Sequence, residues 1–434
     1  MKRIGIISLG CSKNLVDSEM ILGLFKDKKG IYFSNKIDEC DLIIINTCGF
    51  IESAKQEALD TIFECLDTKK ENAKILVCGC LSQRYKEELE KSIPEVDYFM
   101  SIKEYKNAGE IIAKLLSDED FCYRKINEVN KYSLTPNHYA YIKIAEGCRN
   151  NCTYCAIPLI RGTLVSKDKN IILEEVKLAV KQGKEEIILI AQDTTGYGYD
   201  KDDNYYLEDL LKDILKTEAK QIRMLYLYPD EITDSLIDLI ANNDRIVPYF
   251  DIPLQHVNDE LLKSMNRRGT KKEIIDIITK IRNKVKNSII RTTFIVGYPG
   301  ETEEQFEELY NFIKDYPFDR LGAFTYSKEE NTKAYEMDNQ IDENIKDERL
   351  QKIMDLQKEI SLKLNEEKIG KVYKVRVEIY NPFTKEYRGR SYMSAPDNVD
   401  GYVYFTSDTT HKIGDLVDVK ITEAKIYDLK GVKL

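Results

Sequence analysis

The chain has 434 residues, 42% of them hydrophobic, and its formal net charge is −10. This length predicts two or three domains with a sizeable core. No segment reaches about 18 successive apolar residues, and the apolar run before Cys11 is too short for a secretion signal. We therefore expect a cytoplasmic protein without a membrane span. In that compartment ten cysteines indicate metal or redox chemistry, and the acidic balance disfavours a general nucleic-acid binder.

The first 130 residues alternate apolar runs with amphipathic segments. Strands are predicted at 2–9, 41–47 and 74–78, where Ile, Leu and Val dominate. Helices are predicted at 15–26, 53–67 and 82–91. This alternation predicts a parallel sheet. The polar stretch 123–138, which ends in Thr135-Pro136-Asn137, predicts a linker.

Three cysteines of this region, Cys11, Cys48 and Cys80, each follow a predicted strand and adjoin a glycine. Because the carboxyl ends of parallel strands open on one edge of a sheet, we expect these thiols to converge there. The adjacent glycines allow close approach of the backbone to a bulky group. We interpret the trio as ligands of a metal cluster. The alternative is three small buried hydrophobic residues.

The remaining cysteines of this region lack that placement and are predicted to be structural: Cys40, Cys65, Cys78 and Cys122. Cys78 is the least certain of them, because it precedes Cys80 by two residues and would face the same side of its strand.

A second alternation runs from Tyr139 to Ser327. Its predicted strands are 141–145, 186–191, 223–227, 249–252, 289–296 and 321–325. Six βα units are too few for a closed eight-unit barrel, so an open, partial barrel is expected. A charged amphipathic helix is predicted over 340–367, most clearly over 342–363.

The central segment contains the run Glu146-Gly-Cys-Arg-Asn-Asn-Cys-Thr-Tyr-Cys155. Its cysteines, Cys148, Cys152 and Cys155, have CxxxCxxC spacing, which suits three corners of a [4Fe-4S] cube and leaves one iron free for a small chelating molecule. The alternatives are a zinc knuckle or three unrelated cysteines, but zinc usually takes paired CxxC groups. The run resembles that of radical S-adenosylmethionine (SAM) enzymes.

From Lys371 the pattern changes to short alternating strands, predicted at 372–380, 388–394, 402–405 and 416–426. They indicate a small antiparallel barrel. Residues 368–434 contain 12 Lys/Arg and 9 Asp/Glu, so their net charge is about +3. This mild excess does not indicate a basic surface that would bind nucleic acid.

Several runs together resemble the radical SAM methylthiotransferase family along essentially the whole chain. They are Gly10-Cys-Ser-Lys-Asn-Leu-Val-Asp-Ser-Glu19, Asn46-Thr-Cys-Gly-Phe-Ile51, Cys78-Gly-Cys-Leu-Ser-Gln83, Ala191-Gln-Asp-Thr-Thr195 and Pro253-Leu-Gln-His-Val-Asn-Asp-Glu-Leu-Leu262. The resemblance implies an α/β architecture in three parts. A methylthiotransferase domain with an auxiliary cluster would cover 1–130, a partial (β/α)6 radical SAM barrel 131–367, and an antiparallel TRAM barrel 368–434.

The GCSKN form around Cys11 is similar to the branch that modifies an aspartate of small-subunit ribosomal protein S-twelve. Members acting on transfer RNA typically carry GCQMN, and methylthiolation of a modified adenosine in transfer RNA is the alternative. Ser394 departs from the acidic residue expected before Ala-Pro. An acidic enzyme would gain electrostatic steering toward a basic ribosomal protein.

The resemblance implies two [4Fe-4S] clusters. The one on Cys148, Cys152 and Cys155 would bind SAM and cleave it to a 5′-deoxyadenosyl radical, which removes hydrogen from the aspartate β-carbon. The one on Cys11, Cys48 and Cys80 would carry a sulfur that a second SAM methylates before transfer. An electron donor such as flavodoxin or ferredoxin is expected.

Six further residues are candidate cofactor contacts. Gln192, Asp193 and Gln255 follow predicted strand ends, where barrel enzymes place ligand contacts. Gly297 and Glu301 belong to a Gly-rich turn that resembles a radical SAM adenine motif, and Tyr154 adjoins Cys155. A third class of function compatible with the sequence is a non-catalytic iron-sulfur or zinc binding module on the ribosome.

Overall fold

The computed structural model describes residues 1–121, 124–202, 204–397 and 399–434. Its N-terminal part is a five-stranded parallel sheet in the order β2-β1-β3-β4-β5. The strands are β1 Lys2–Ser8, β2 Ile31–Phe33, β3 Leu42–Thr47, β4 Lys74–Gly79 and β5 Tyr98–Met100. The helices are α1 Ser12–Gly23, α2 Glu52–Thr68, α3 Cys80–Ser92 and α4 Ala108–Leu116. The predicted parallel sheet is confirmed, and the short edge strands β2 and β5 extend it.

Helices cover both faces of this sheet. Ile21 of α1 and Ile112 of α4 belong to one core cluster, whereas Ile62 of α2 and Leu89 of α3 belong to another. All six residues of the central strand β3 are buried, as expected for a strand covered on both sides.

The central part contains six parallel strands in two hydrogen-bonded groups. They are β6 Tyr139–Lys143, β9 Glu186–Ile190, β10 Gln221–Met224, β11 Tyr249–Asp251, β12 Ile289–Val296 and β13 Arg320–Thr325. A parallel bridge between Ile222 and Ile246 links the groups. The small hairpin of β7 Ala145–Glu146 and β8 Val165–Ser166 was not predicted.

Helices alternate with these strands, as in a βα barrel. They are α5 Ile157–Arg161, α6 Lys169–Lys181, α7 Leu207–Leu215, α8 Asp234–Ala241, α9 Asp259–Ser264, α10 Lys271–Lys284, α11 Glu303–Asp315 and α12 Glu343–Glu366. Short 3₁₀ helices lie at Ile37–Glu39, Ile102–Asn107, Glu119–Phe121, Pro229–Glu231 and Lys333–Glu336. The predicted charged helix corresponds to α12, which begins after Asp342, whose side chain accepts a hydrogen bond from the Asn344 N–H at 2.9 Å. None of the described helices is long and apolar enough to cross a bilayer.

The C-terminal part is a closed barrel in the order β14-β15-β16-β18-β17. Its strands are β14 Val372–Asn381, β15 Glu386–Arg390, β16 Val403–Thr406, β17 Leu416–Ala424 and β18 Leu429–Lys433. The barrel is confirmed, but β16 and β18 pair in parallel, so it is not wholly antiparallel as expected. The fifth strand, β18, was missed because only Asp428 and its neighbours separate it from β17.

The C-terminal barrel packs against the inner face of the central sheet. Tyr141 and Leu225 share a hydrophobic cluster with Met393 and Phe405. Polar contacts join the same parts. The carboxylate of Glu186 accepts from Arg390 of the barrel at 2.7 Å, and from Arg223 of its own sheet at 2.7 Å. Arg291 pairs with Asp397 at 2.6 Å, and the Tyr249 hydroxyl donates to Asp400 at 2.6 Å. The N-terminal part contacts the carboxyl-terminal edge of the central strands, where Lys13 lies over the ring of Tyr226.

Candidate active site

The CxxxCxxC loop lies between β7 and α5, directly after the first central strand. Gly147 enters it with a φ of +73°, and a Cβ there would lie 2.2 Å from the Thr163 carbonyl oxygen. Only glycine fits such a turn without moving the neighbouring backbone. The loop therefore depends on Gly147 for its entry geometry.

One short segment, residues 264–266 at the end of α9, holds this loop. The Thr153 N–H donates to the Met265 carbonyl at 3.0 Å, and the Thr153 hydroxyl donates to the Ser264 carbonyl at 3.0 Å. Asn266 donates to the carbonyls of Asn150 and Asn151 at 3.1 and 3.0 Å. The loop is thus fixed by backbone groups and by the end of α9.

The thiols of Cys148, Cys152 and Cys155 are free and partly accessible. Burial raises the pKa of Cys148 to about 11, against hydrogen bonding from Asn150, and Asp193 and Cys152 raise it further. Burial also raises the pKa of Cys155, with Cys152 as the next cause. Because neighbouring thiols contribute to each of these pKa shifts, the three sulfurs lie close together. A cationic cluster fits such a set, because it holds several thiolates at once.

The second trio occupies the carboxyl-terminal edge of the N-terminal sheet, as predicted. Cys11 follows β1, Cys48 follows β3, and Cys80 is the first residue of α3 after β4. A Cβ on Gly10 would lie 2.7 Å from the Cys48 Cβ and 3.1 Å from its sulfur. The adjacent glycine therefore allows the Cys11 and Cys48 loops to approach each other closely.

These thiols also influence one another. Burial raises the pKa of Cys48 to about 12, with Cys80 the next cause and Cys11 a further one. Burial opposes ionisation of Cys11, but the Lys13 ammonium and the Asn14 N–H outweigh it and lower the pKa of that thiol. Cys11 is solvent exposed and Cys48 partly so. The three sulfurs are close together, and Cys80 is the buried one, an arrangement that fits a second cluster.

The structural cysteines differ from both trios. Cys40, Cys65 and Cys78 are free and at most 2% exposed, inside the hydrophobic clusters of the N-terminal part. Cys78 is fully buried in the same core cluster as Met100, although its thiol is near enough to Cys80 to be affected by its charge. Cys122 lies outside the described residues. No three His, Cys, Asp or Glu side chains of the described ranges surround a single ion position; in a cubane the thiolates bind different irons.

The two trios are joined by α5. This helix starts two residues after Cys155, and its Ile160 packs with Ala156 against Cys80. At its end the Arg161 guanidinium donates to the Cys80 sulfur at 3.3 Å. The same guanidinium donates to Asn14 Oδ1 and Asp17 Oδ2, each at 2.6 Å. A single short helix thus connects the loop of one trio to a ligand of the other.

Asp17 is a fully buried carboxylate on α1 and the centre of an ion-pair network. Lys143 Nζ donates to it at 2.5 Å and to Glu146 at 2.6 Å. Burial opposes charge on Glu146, but Lys143 and Arg161 outweigh it and lower the pKa of that carboxyl to about 2. This network is not predicted by any motif of the sequence. A lysine inside the apolar run Tyr139–Lys143 was the available signal, since a buried charge requires a partner.

Lys13 reaches across to the central sheet. It is 8% exposed, and its Nζ lies 3.2 Å from the centre of the Tyr226 ring, in the loop after β10. The Ser12 hydroxyl lies 3.4 Å from the Tyr226 hydroxyl. Tyr226 adopts a φ of +63°, a conformation that is rare for residues other than glycine. The start of α1 therefore contacts the mouth of the partial barrel directly.

Four of the six predicted cofactor contacts lie in two places. Gln192 and Asp193 lie beside the first trio, where Gln192 donates to Glu146 at 2.7 Å and Asp193 accepts from Asn150 at 2.6 Å. Gln255 has a φ of +71° and lines a cavity of about 740 Å³ together with Tyr154. These placements are consistent with contacts to a bound molecule, and the contacts themselves stay predictions.

Gly297 and Glu301 form a closed turn after β12. The Gly297 N–H donates to Glu301 at 2.5 Å, Arg349 donates to the same carboxylate at 2.7 Å, and His256 lies 3.1 Å from its other oxygen. Gly297 has a φ of +71°, and a Cβ there would lie 2.2 Å from Lys346 Cγ. Glu301 therefore organises this turn, and a contact from it to a cofactor stays a prediction.

Three known families match successive parts of the chain. Residues 3–101 match the uncharacterized protein family UPF0004, residues 142–313 match the Radical SAM superfamily, and residues 369–433 match the TRAM domain.

Solved structures support the fold. A radical SAM methyltransferase, TsrM from Kitasatospora setae, superposes with a TM-score of 0.56 at 11% identity, over 86% of this chain and 80% of that one. The cobalamin-dependent SAM radical enzyme OxsB gives a TM-score of 0.50 at 13% identity, over 82% of this chain and 56% of that one.

Full-length relatives are far more similar. The ribosomal protein uS12 methylthiotransferase RimO of Alkaliphilus oremlandii is 49% identical over 431 residues, which cover 99% of this chain and 98% of the relative. The proteins of the same name from a Thermoanaerobacter species and from Clostridium botulinum are 47% and 48% identical, each over 99% of this chain and at least 98% of the relative. The chain therefore belongs to the RimO family of radical SAM methylthiotransferases, which uses SAM and [4Fe-4S] clusters.

Proposed function

We propose that this enzyme inserts a methylthio group at the β-carbon of an aspartate in ribosomal protein uS12. The observation that carries this proposal is the link between the two cysteine trios through α5, whose Ile160 packs on Cys80 and whose Arg161 donates a hydrogen bond to the Cys80 sulfur. Methylthiolation requires both a site that opens a C–H bond and a site that delivers sulfur, and these must be neighbours. The relatives named as uS12 enzymes support the substrate. The transfer-RNA alternative is not favoured.

The residues proposed to hold the first cluster are Cys148, Cys152 and Cys155, and those proposed for the auxiliary cluster are Cys11, Cys48 and Cys80. When bound, the clusters and SAM would supply the electron, the radical that opens the C–H bond, and the sulfur and methyl that are transferred. The protein has to keep six thiols deprotonated. Metal binding does this by displacing protons from groups whose pKa values are mostly raised in its absence.

Side chains around the first trio would orient bound SAM. Asn150 donates to the Cys148 sulfur at 3.4 Å and to Asp193 at 2.6 Å, so it fixes that sulfur relative to the end of β9. Arg267 donates to the Tyr154 hydroxyl at 3.3 Å and lies 3.9 Å from the Cys152 sulfur. Tyr154 and Gln255 line the 740 Å³ cavity beside the loop. A cavity of that size accommodates a nucleoside-sized ligand.

We propose that the chain consists of the three domains predicted from the sequence, with boundaries near residues 130 and 367. Residues 1–130 would present the auxiliary cluster, 131–367 would generate the radical, and 368–434 would close the inner face of the central sheet. A flavodoxin or ferredoxin remains the proposed electron donor. A substrate of the small ribosomal subunit implies a cytoplasmic enzyme.

The test is in vitro modification of two substrates. Anaerobically reconstituted enzyme is incubated with SAM, a reductant and either uS12 or unmodified transfer RNA, and both substrates are analysed by mass spectrometry. We expect one methylthio group on the uS12 aspartate and none on the nucleosides. Modification of the nucleoside alone would refute the proposal. Protein that holds about eight irons but produces no 5′-deoxyadenosine would instead indicate a binding module.

A further inference from the structure

Lys13 is a buried cation without a carboxylate partner. The other deeply buried lysines are matched: Lys143 pairs with Asp17, Lys346 with Glu343, and Lys184 donates to hydroxyl and carbonyl oxygens. Within the described ranges, Lys13 forms no ion pair with any carboxylate. A lysine that is only 8% exposed and has no carboxylate partner is unusual, and an anionic ligand would complete its pairing.

The carboxylate whose charge acts on Lys13, that of Asp251, is already engaged. Asp251, at the end of β11, accepts a hydrogen bond from the Tyr226 N–H at 3.0 Å and lies 3.5 Å from Arg291 Nε. The Tyr226 ring under the ammonium provides a cation–π contact, which positions the charge but is weaker than an ion pair. Lys13 is therefore held in place without a carboxylate partner; its charge favours the Cys11 thiolate, a sulfur that a bound cluster would engage.

The position of this cation is suited to a substrate. Lys13 lies two residues after Cys11, the most accessible thiol of its trio, at the amino-terminal end of α1, where the helix dipole also favours an anion. Its partner Tyr226 belongs to the carboxyl-terminal edge of the central strands, where barrel enzymes bind ligands. Tyr226 has the left-handed conformation that often marks functional sites.

We propose that the Lys13 ammonium binds the carboxylate of the acceptor aspartate and so selects an acidic side chain as the substrate. This inference rests on the proposed function and names the residue that recognises its substrate class. In aspartate the β-carbon is bonded directly to the carboxylate carbon. An ion pair with Lys13 therefore brings the carbon to be modified next to Cys11.

The test measures binding as well as turnover. Lys13→Met removes the charge while keeping an unbranched chain, and Lys106→Met is the control because Lys106 is an exposed lysine of the same sheet domain. Each reconstituted holoenzyme is titrated anaerobically with uS12 and with uS12 whose acceptor aspartate is replaced by asparagine. Iron content, the electron paramagnetic resonance (EPR) spectrum and 5′-deoxyadenosine formation are measured in parallel.

We expect the wild type and Lys106→Met to bind the aspartate form about tenfold more tightly than the asparagine form. Lys13→Met should bind both forms equally, with unchanged iron content and SAM cleavage. Retention of the tenfold preference by Lys13→Met would overturn the inference. So would loss of iron in that variant, which would make Lys13 a counter-ion of the sulfurs. A wild-type enzyme that leaves uS12 unmodified refutes the proposed function itself, whereas one that modifies uS12 but binds both forms equally refutes only the role of Lys13.

Discussion

The Arg161 guanidinium lies 3.3 Å from the Cys80 sulfur and 2.6 Å from the Asp17 carboxylate. Arg161 belongs to the helix that follows the CxxxCxxC loop, whereas Cys80 and Asp17 belong to the N-terminal sheet domain. All three residues are at least nine-tenths buried. The contact therefore couples the geometry of the two trios through a single side chain.

Replacing Arg161 by Gln should weaken this coupling. Asp17 would keep only Lys143 as a cationic partner, and the loss of one partner of a buried pair typically costs about 3 kcal/mol of the free energy of unfolding. Urea denaturation of the protein measures this loss. EPR of the reconstituted variant should show a changed signal from the Cys11, Cys48 and Cys80 site. Arg161→Lys keeps the charge and is the matched control, and equal stability of Arg161→Gln and wild type would contradict the expectation.

Replacing Cys11, Cys48 and Cys80 together by Ala should separate the two activities. Iron content is expected to fall from about eight to about four per chain, because the other trio is intact. Formation of 5′-deoxyadenosine should persist, while methylthiolation of uS12 should be lost. Cys40→Ala, which changes a core thiol beside Gly5, serves as a control that leaves the iron content unchanged. Unchanged iron in the triple variant would remove the auxiliary cluster from the scheme.

Gly79→Ala should disrupt the second trio through the backbone. Gly79 has a φ of +96°, and a Cβ there would lie 2.3 Å from Asn46 Oδ1 and 2.4 Å from the Thr47 carbonyl oxygen. Gly183 is a matched control, since its φ is +87° and no atom lies within 4 Å of the added Cβ. We expect Gly183→Ala to lose about 1 kcal/mol of the free energy of unfolding, from left-handed strain alone. Gly79→Ala should lose clearly more of this free energy, as measured by thermal denaturation, and should bind about half as much iron as the wild type.

Glu186 makes the stability of the fold sensitive to acid. Burial opposes its charge, but Arg390 and Arg223 outweigh burial and lower the pKa of Glu186 to about 2. The ionised form is therefore favoured in the folded state, and its contribution is complete above the unfolded pKa of about 4.3 and is lost as the pH falls toward 2. The difference between the folded and unfolded pKa values corresponds to about 3 kcal/mol of the free energy of unfolding. Glu186→Gln should flatten the decline of the unfolding free energy between about pH 5 and pH 3, and an unchanged slope would count against this pairing.

The features that follow from local pattern were predictable from the sequence. The two cysteine trios were recognised because each member follows a strand or belongs to one short spacing motif, and the six central strands are apolar runs. Arg161 and Asp17 were missed because they are 144 residues apart, and no local pattern records such a pair. The same holds for Arg390 and Glu186, which are 204 residues apart. Long-range ion pairs become visible only when the packing of the domains is known.

The helix between the two trios has only five residues, Ile157–Arg161. At a rise of about 1.5 Å per residue it spans roughly 8 Å, too short to bend. Adding or removing one residue would rotate Arg161 by about 100° and point it away from Cys80. The number of residues in this helix therefore sets the spacing between the two cysteine trios. An insertion that a surface loop would tolerate is expected to disrupt that spacing if it is placed within Ile157–Arg161.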